Sequence, residues 1–571
     1  MRMAWTATRH PRSPGPAEPG AGGNAEPPDA SARARRASLA TLAGTLRRGV
    51  LAAPGQARLA LPVARRHWLM TLLLVAGLAL RVIAQIAYRP ALLYIDSLKY
   101  LYNAWPGTDP LGYKGVLQVI LFFGDLQAVV AVQHLAGLAM GVAIYVLLLR
   151  RGAPRWLAAV AAAPVLLDAY ELQMEQTIMP DVWFEALLVA GLVILLWQPR
   201  LTLRAIVGGG LAFGLSATVW QGGEFLIVPA VIYAVIASAV AGWRYRGRAA
   251  AVMIVAFAVP ILLYMTGSLV FSGHFWLSRT GTSSLYGRVA EAADCATLKL
   301  PSYERVLCPT AKQKALGTDG LDHDASSPLT NYKVPAGVDQ QAAVNNFVRA
   351  VITQQPLRVL SSYGAQAAEL FEVHRVTSPG DTPISRWQFQ DGYPGYQNYV
   401  RTNRDDVIIL GLKVQNPPPD YVYQALDPSM GGRAAVIAPL ARFLRAYQLD
   451  GGYTPGPLYL AATVAGLLGT LLLLVRRRAR EGQAAPGQGA RDLAFACCLF
   501  FITPVVLLLA SDIQEFSWRY QLPAIVTLPP AGALGVAAII TQLRGPGRRR
   551  AAAGSAAELV APRTDRASSA R

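Results

Sequence analysis

The sequence predicts an all-α protein that crosses a membrane many times. Of its 571 residues, 53% are hydrophobic and only 15% are charged, whereas a soluble domain carries about 25% charged residues. Apolar runs recur along the chain at about 20 residues each, the length that a helix needs to cross a hydrocarbon core of about 30 Å. We therefore expect a polytopic helical membrane protein.

Ten apolar segments are predicted to span the membrane, and a polar break around Glu171 to Gln176 separates the third from the fourth. They lie near 68–88, 126–149, 156–171, 181–197, 205–220, 225–243, 249–271, 456–475, 493–510 and 519–542. The chain thus divides into a tail (1–64), seven spans (65–271), a large polar segment (272–455), three spans (456–543) and a second tail (544–571). Both tails are rich in Ala, Arg, Gly and Pro, a composition typical of disorder and of high-GC bacteria such as actinobacteria.

The arginine-rich loops predict the orientation. With ten spans, the two tails and the loops near 150–155, 200–204, 244–248 and 476–480 all fall on one side. Positive loops mark the cytoplasmic side, so both termini should be cytoplasmic and segment 272–455 extracytoplasmic. The same placement accounts for the net charge of +19. No nucleic-acid-binding module is visible, so we expect no nucleic-acid partner.

The large polar segment shows signs of an ordered domain. Its stretch AAVNNFVRAVITQQPLRVLSSY predicts a helix in which Phe347, Val348, Val351 and Ile352 share one face, before Pro356 interrupts it. Cys295 and Cys308 lie in the same segment. Outside the cytoplasm these two cysteines could form a disulfide; the alternative is two free thiols.

Acidic residues recur at the predicted outer ends of the spans. Asp96 follows the first span in LLYIDSLKYLYNAW, among bulky apolar and aromatic residues, and the next outer loop brings Glu175 and Asp181. Asp181 also has a plain structural explanation, because an acid in the first helical turn after a proline is favoured. An ionisable residue at membrane depth is a functional candidate, and this applies to Asp168, Glu171 and Glu185.

Cations and aromatic rings share this predicted outer side. Lys99, Lys114 and Arg519 lie near helix ends, where the positive-inside tendency gives a cation no advantage. A lipid phosphate would explain them, and snorkelling toward headgroups is the alternative. Tyr100, Trp105 and Tyr520 could stack on sugar rings. The stretch Gly112 to Asp125 is apolar but too short to cross, and we expect it to lie along the interface.

These residue types suit the transfer of a group from a phosphate-bearing lipid to a hydroxyl. Carboxylates can deprotonate a hydroxyl or hold a divalent metal, and no Walker loop, dinucleotide fingerprint, zinc spacing or nucleophile elbow competes with this interpretation. A transporter or flippase for a polar lipid is the first alternative, although no inverted repeat is evident. A non-catalytic envelope-assembly protein is the second.

The arrangement resembles the GT-C superfamily of glycosyltransferases, most closely the branch of protein O-mannosyltransferases and bacterial aminoarabinose transferases. Asp96 matches the acid after the first span, Lys114 in GYKG matches a phosphate-binding lysine, and Arg519, Tyr520 and Pro523 match an R-Y-x-x-P stretch. Segment 272–455 matches the large outer segment of that branch. Some members carry a second acid after the first, but Ser97 follows Asp96 here, which leaves a metal requirement open.

The resemblance implies a function. The chain would move a sugar from a polyprenyl-phosphate donor to an envelope glycan, lipid or protein hydroxyl, with Asp96 as general base. Glu175 or Asp181 would be the second acid. Arg519 and Lys114, with Lys99, would bind the donor phosphate, and Tyr100, Trp105 and Tyr520 the sugar or acceptor.

Overall fold

The structure is a computed structural model that describes residues 62–102, 109–238, 242–278, 282–377, 382–392, 434–479, 488–512 and 516–543, with Gly431 and three short strands. The chain divides after Trp68 into two compact units. Of the first unit, the described residues are 62–68. The second unit begins at Leu69, the second residue of the first helix, and contains the core and the site described below.

Helices dominate the described residues, and each of the ten segments predicted as spans contains at least part of one. In chain order the helices are α1 (Trp68–Ala87), α2 (Ile95–Tyr102), α3 (Gly112–Phe123), α4 (Leu126–Arg150), α5 (Arg155–Leu167), α6 (Ala169–Gln176), α7 (Asp181–Leu196), α8 (Leu203–Val219), α9 (Ile227–Ala237), α10 (Trp243–Ser272), α11 (Thr282–Ala292), α12 (Ala311–Lys314), α13 (Gly317–His323), α14 (Gln340–Gln354), α15 (Pro356–Glu369), α16 (Ala438–Leu449), α17 (Gly456–Ala479), α18 (Gln488–Asp512) and α19 (Pro523–Leu543). Single 3₁₀ turns occupy Gln221–Leu226, Arg305–Leu307 and Ile384–Trp387.

Five of these helices are long and apolar enough to cross a membrane by themselves: α1, α4, α10, α18 and α19. The bent pair α5–α6 is a sixth if it counts as one span. These helices make the chain a multi-pass membrane protein, as the composition predicted. Among the helices of the remaining predicted spans, α8 has 17 residues and α9 has 11. The count of ten spans therefore stays a prediction.

The third predicted span differs from expectation. It ends at Leu167, and α6 begins at Ala169 after a bend of 46°. Asp168 causes the break: its backbone is extended, and its carboxylate accepts a hydrogen bond from the Tyr170 amide and so caps α6. The expectation of a polar break at Glu171 to Gln176 was wrong, because these residues are helical and buried. Their polar side chains suggested a loop.

The large polar segment contributes to two different parts of the unit. Residues 285–359 pack around their own small core, which includes Tyr286, Phe347 and Val351, and Cys295 and Cys308 form a disulfide beside it. Ile352 does not share the buried face as expected, since it is 40% exposed. Later residues of the segment pack instead against the helices that flank the site described next. Leu370, Ile384 and Trp387 join the main core, and Phe389, Ala441 and Leu444 pack with Leu80, Tyr88 and Leu172.

Short strand contacts fix the residues that follow α1. Strand β1 (Tyr88–Arg89) pairs antiparallel with β5 (Ala435–Val436). A separate sheet contains β2 (Arg401–Asn403), β3 (Asp406–Ile409) and β4 (Leu412–Gln415). Leu92 then forms a bridge with Thr177, where the Leu92 amide donates to Gln176 (2.9 Å) and the Ile178 amide donates to Leu92 (3.0 Å). This bridge holds the start of α2 beside the start of α7.

Candidate functional site

Asp96, Asp181 and Arg519 meet in one cluster, which we call the acid–arginine cluster. Arg519 donates through Nε and Nη2 to both carboxylate oxygens of Asp181, at 2.8 and 3.0 Å, and through Nη1 to Asp96 at 3.2 Å. The Asp96 side chain is 22% exposed, against 8% for Asp181 and 5% for Arg519. Asp96 is therefore the most accessible member, and Asp181 is the more tightly bound carboxylate.

Asp96 takes its place because α2 begins immediately before it. Ser97 accepts a hydrogen bond from the Tyr94 amide and donates one to the Ile178 carbonyl, each at 2.8 Å, and it is fully buried. The Ser97 hydroxyl thus closes the first turn of α2 and ties it to the segment that leads into α7. This fixes the distance between Asp96 and Asp181.

Asp181 and Arg519 are held just as firmly. Asp181 opens α7 directly after Pro180, so the sequence-based structural explanation applies together with the ion pair. Arg519 lies in the segment 516–522 between α18 and α19. That segment is anchored by Trp518, whose indole donates to the Val376 carbonyl at 3.0 Å, and by Gln521, whose amide donates to Asp512 at 2.8 Å.

The guanidinium of Arg519 is charged in this environment. Burial opposes its charge, but Asp181 and then Asp96 more than offset that effect and raise the pKa of Arg519 well above its usual range. A guanidinium carries five N–H groups, and the three bonds above use three of them. The Trp387 ring lies 5.5 Å from the guanidinium carbon and 4.6 Å from the Tyr94 ring. Burial, followed by Asp96, raises the pKa of Tyr94 to about 12.

Glu175 lies in a different network. Its side chain is fully buried and pairs with Arg81 through one oxygen and with His134 Nδ1 through the other, at 2.8 Å. His134 Nε2 in turn contacts the Gln176 side chain at 2.9 Å. The structure therefore does not bring Glu175 together with Asp96, and it gives the intramembrane Arg81 its acid partner.

The other membrane-depth acids are also buried, and Glu185 lies in α7 one turn after Asp181. Asp168 binds Arg375 at 2.9 Å and accepts from the Thr454 amide at 2.7 Å. Glu171 and Glu185 are each 1% exposed. Arg375 lies over the Tyr170 ring at 4.5 Å and the Trp518 ring at 5.2 Å, so the Asp168 pair supports the segment that carries Arg519.

Of the remaining predicted site residues, Tyr520 lies beside Arg519, whereas Lys114 and Tyr100 contact other residues. Lys114 is half-buried in α3 and donates to the Leu101 carbonyl at 3.2 Å, at the far end of the helix that carries Asp96. Burial lowers the pKa of Lys114. Tyr100 is 2% exposed and packs edge-on against Tyr113, so its ring is covered. Tyr520 lies 5.5 Å from the Arg519 guanidinium.

Two predicted residues lie outside what the structure describes, namely the side chain of Lys99 and the whole of Trp105. Among the described residues, no three His, Cys, Asp or Glu side chains gather as a metal site. Sequence reasoning missed Gln521, which helps to build the site. It noted Ser97 only as a departure from family members, and Trp387 only as an aromatic ring that could stack on a sugar.

Comparison with solved structures finds glycosyltransferases of the GT-C fold, the class that the sequence resembles. They include the protein O-mannosyltransferase complex of S. cerevisiae bound to its sugar donor (16% identity, 39% of this chain, 36% of that chain, TM-score 0.30). They also include the Archaeoglobus fulgidus oligosaccharyltransferase with an inhibitory peptide and dolichol-phosphate (13% identity, 86% of this chain, 52% of that chain, TM-score 0.36). A third is ArnT from Cupriavidus metallidurans (14% identity, 83% of this chain, 78% of that chain, TM-score 0.28).

This chain spans about half of the oligosaccharyltransferase and about a third of the mannosyltransferase chain. No protein-family model matches it, and no curated protein is significantly similar. At these identities and TM-scores we base the functional proposal on the side chains of this chain alone.

Proposed function

We propose that this chain is a membrane glycosyltransferase that moves a sugar from a polyprenyl-phosphate donor to an envelope hydroxyl on a glycan, lipid or protein. The observation that carries the proposal is the acid–arginine cluster. Three chain segments supply one accessible carboxylate, one tightly bound carboxylate and one buried cation. A base for a hydroxyl and a cation for a phosphate are the two groups that this transfer needs.

Asp96 is the general base in this proposal. Only one bond from Arg519 reaches it, and its side chain is more exposed than the two other members of the cluster. Asp181 receives two bonds and is nearly covered. Asp181 therefore orients Arg519, while Asp96 can approach an acceptor. This geometry favours Asp181 over Glu175 as the second acid.

The reaction requires one bond to form and one to break. The acceptor oxygen attacks the anomeric carbon opposite the phosphate, and the bond from that carbon to the phosphate oxygen breaks. Polyprenyl phosphate leaves with the electron pair, and the acceptor proton passes to the Asp96 carboxylate and then to water. The sugar carbon is inverted. A positioned base typically contributes about 10² to 10⁴ in rate.

Arg519 binds the donor phosphate in this proposal. Its Nη1 and Nη2 each carry one further N–H beyond the three bonds to Asp96 and Asp181, and a planar guanidinium suits a phosphate. Lys114 is a second cation near the far end of α2, and Lys99 in α2 remains a candidate from the sequence. Tyr520, beside Arg519, remains the candidate for contact with sugar.

We place the acid–arginine cluster on the extracytoplasmic side. Asp181 begins α7, and Arg151 contacts the Leu196 carbonyl where α7 ends; Arg150 lies 4.3 Å from the Trp197 ring at the same end. The arginines therefore lie at the end of the bundle opposite the cluster. Positive loops favour the cytoplasm, which supports cytoplasmic termini and an outer location for segment 272–455.

Replacing Asp96 by Asn tests the proposal, because it keeps size and removes the base. In a strain that lacks the protein, Asp96→Asn should be present in membranes at the wild-type level and should restore envelope sugars at least about 10²-fold more slowly. Asp391→Asn is the matched control, since its side chain is 62% exposed. Full restoration by Asp96→Asn would make Asp96 a structural acid and Asp181 the next candidate base.

A further inference from the structure

A cleft opens beside Tyr520, the neighbour of Arg519 in the sequence. Its volume is about 50 Å³, which is room for a few water-sized groups and thus for part of one small ligand. Four separate segments line it, and the lining residues are Asp109, Trp220, Gln221, Gly222, Phe225, Ala510, Ser511 and Tyr520.

The lining combines aromatic rings with a few hydrogen-bonding groups. The Trp220 and Tyr520 rings have centroids 6.0 Å apart. Asp109 adds a carboxylate and Gln221 an amide. A pyranose or furanose ring has the matching chemistry, because its C–H faces are apolar and its hydroxyls need donors and acceptors. A plain hydrocarbon chain would cover the carboxylate and the amide without forming hydrogen bonds to them, which costs free energy.

The indole of Trp220 is held rigidly by its surroundings. Helix α8 ends at Val219, directly before Trp220, and Phe184 packs against the indole with ring centroids 4.6 Å apart. The following Gly222 and Gly223 allow the chain to turn back closely. A Cβ on Gly222 would lie 2.1 Å from the indole, and one on Gly223 would lie 2.5 Å from the Ala217 amide nitrogen. Glycine at positions 222 and 223 therefore allows the chain to pass close to the Trp220 indole and to α8 on this side of the cleft.

The cleft adjoins the acid–arginine cluster. Phe184, which supports the indole, lies in α7 one turn after Asp181. The Tyr520 ring lies 6.0 Å from the Trp220 ring and 5.5 Å from the Arg519 guanidinium. Burial, then Asp109, then Asp96 raise the pKa of the Tyr100 hydroxyl well above its usual range, so both acids are near that side chain.

We infer that this cleft is a sugar-binding subsite, in which a sugar ring packs against Trp220 and Tyr520 and its hydroxyls bind Asp109 and Gln221. The inference rests on the proposed function and deepens it, because it places a sugar beside the base and the phosphate-binding arginine. The ring is either the sugar of the donor or the terminal sugar of a glycan acceptor. Both present the same chemistry to the cleft.

Binding measurements on the full chain in detergent test this inference without turnover. The probes are methyl glycosides of pentoses and hexoses, geranyl phosphate, and geranyl-phosphate-linked sugars, followed by saturation-transfer NMR. Asp109→Asn should weaken glycoside binding about tenfold or more, the loss expected for a hydrogen bond to a charged group. Trp220→Leu should also weaken glycoside binding, because it removes the ring on which the sugar packs. Geranyl phosphate binding should not change. Trp156→Leu is the control, because Trp156 is 55% exposed in α5.

The probes also separate the two sources of the sugar. If the geranyl-phosphate-linked sugar loses affinity together with the glycosides, the subsite holds the donor sugar; if it keeps its affinity, the subsite holds the acceptor sugar. Unchanged glycoside binding in Asp109→Asn, which leaves the packing of the indole intact, would overturn the inference. So would a loss of geranyl phosphate binding, which would assign the cleft to a lipid chain.

The outcome is independent of the test of the proposed function. A chain that transfers sugar through Asp96 but binds glycosides equally well without Asp109 has the function and lacks this subsite. A chain that binds glycosides through Asp109 but restores envelope sugars with Asp96→Asn has the subsite and lacks the proposed mechanism.

Discussion

Arg519 and Asp181 are 338 positions apart in the sequence, yet two hydrogen bonds of 2.8 and 3.0 Å join their side chains. The pair connects the start of α7 to the segment before α19, and one further bond of 3.2 Å joins Arg519 to Asp96. A fork of two parallel bonds holds a guanidinium more rigidly than a single contact can. The two acids should therefore respond differently to substitution of the arginine.

Arg519→Lys should weaken donor binding although it keeps the charge. An ammonium cannot bind both oxygens of Asp181 in a fork and still reach Asp96 and a phosphate. We expect affinity for geranyl phosphate to fall about tenfold or more, as for a lost charge-assisted bond, with a smaller loss for Lys114→Ala. Arg358→Lys is the control, because Arg358 is 57% exposed. Unchanged affinity in the Arg519→Lys, Lys114→Ala double variant would reject both assignments.

Ser97→Ala should lower both stability and transfer. The substitution leaves the Tyr94 amide and the Ile178 carbonyl without the hydroxyl that now joins them, which typically costs about 1–3 kcal/mol. Thermal unfolding in detergent measures the stability, and restoration of envelope sugars measures the transfer. Ser361→Ala, at an exposed serine, should change neither. Full stability in Ser97→Ala would show that the hydroxyl does not position α2.

Glu175→Gln should separate stability from catalysis. It removes the charge that faces the buried Arg81, and an uncompensated buried charge typically costs about 3–5 kcal/mol. We expect a lower membrane level, with normal transfer per molecule of folded protein. Glu291→Gln, at a more exposed acid, should keep the wild-type level. If Glu175→Gln were stable but inactive, Glu175 would return as the second acid.

The orientation can be checked by cysteine labelling in intact cells. Thr330→Cys in segment 272–455 should react with a membrane-impermeant maleimide, and Gln198→Cys in the loop after α7 should react only after the cells are opened. Both positions are exposed, and the native Cys497 and Cys498 are buried. The reverse pattern would place the acid–arginine cluster in the cytoplasm and remove the basis for an envelope acceptor.

The helical class and its approximate helix positions followed from the sequence alone. A bilayer leaves no water for backbone groups, so a long apolar run must satisfy its hydrogen bonds within a helix. Local signals also identified members of the site. Asp96, Asp181 and Arg519 stood out as charges beside apolar runs, where burial is costly unless a partner or a function compensates for it.

Which charges meet was decided only by the tertiary structure. Glu175 and Asp181 were both sequence candidates for the second acid, but Glu175 pairs with Arg81 while Asp181 pairs with Arg519. The polar side chains of Glu171 to Gln176 predicted a loop, but the stretch is a buried helix in which Glu175 and Gln176 bind residues distant in the chain. Periodicity and charge are local properties, whereas an ion pair depends on which helices pack together, and no local pattern records that.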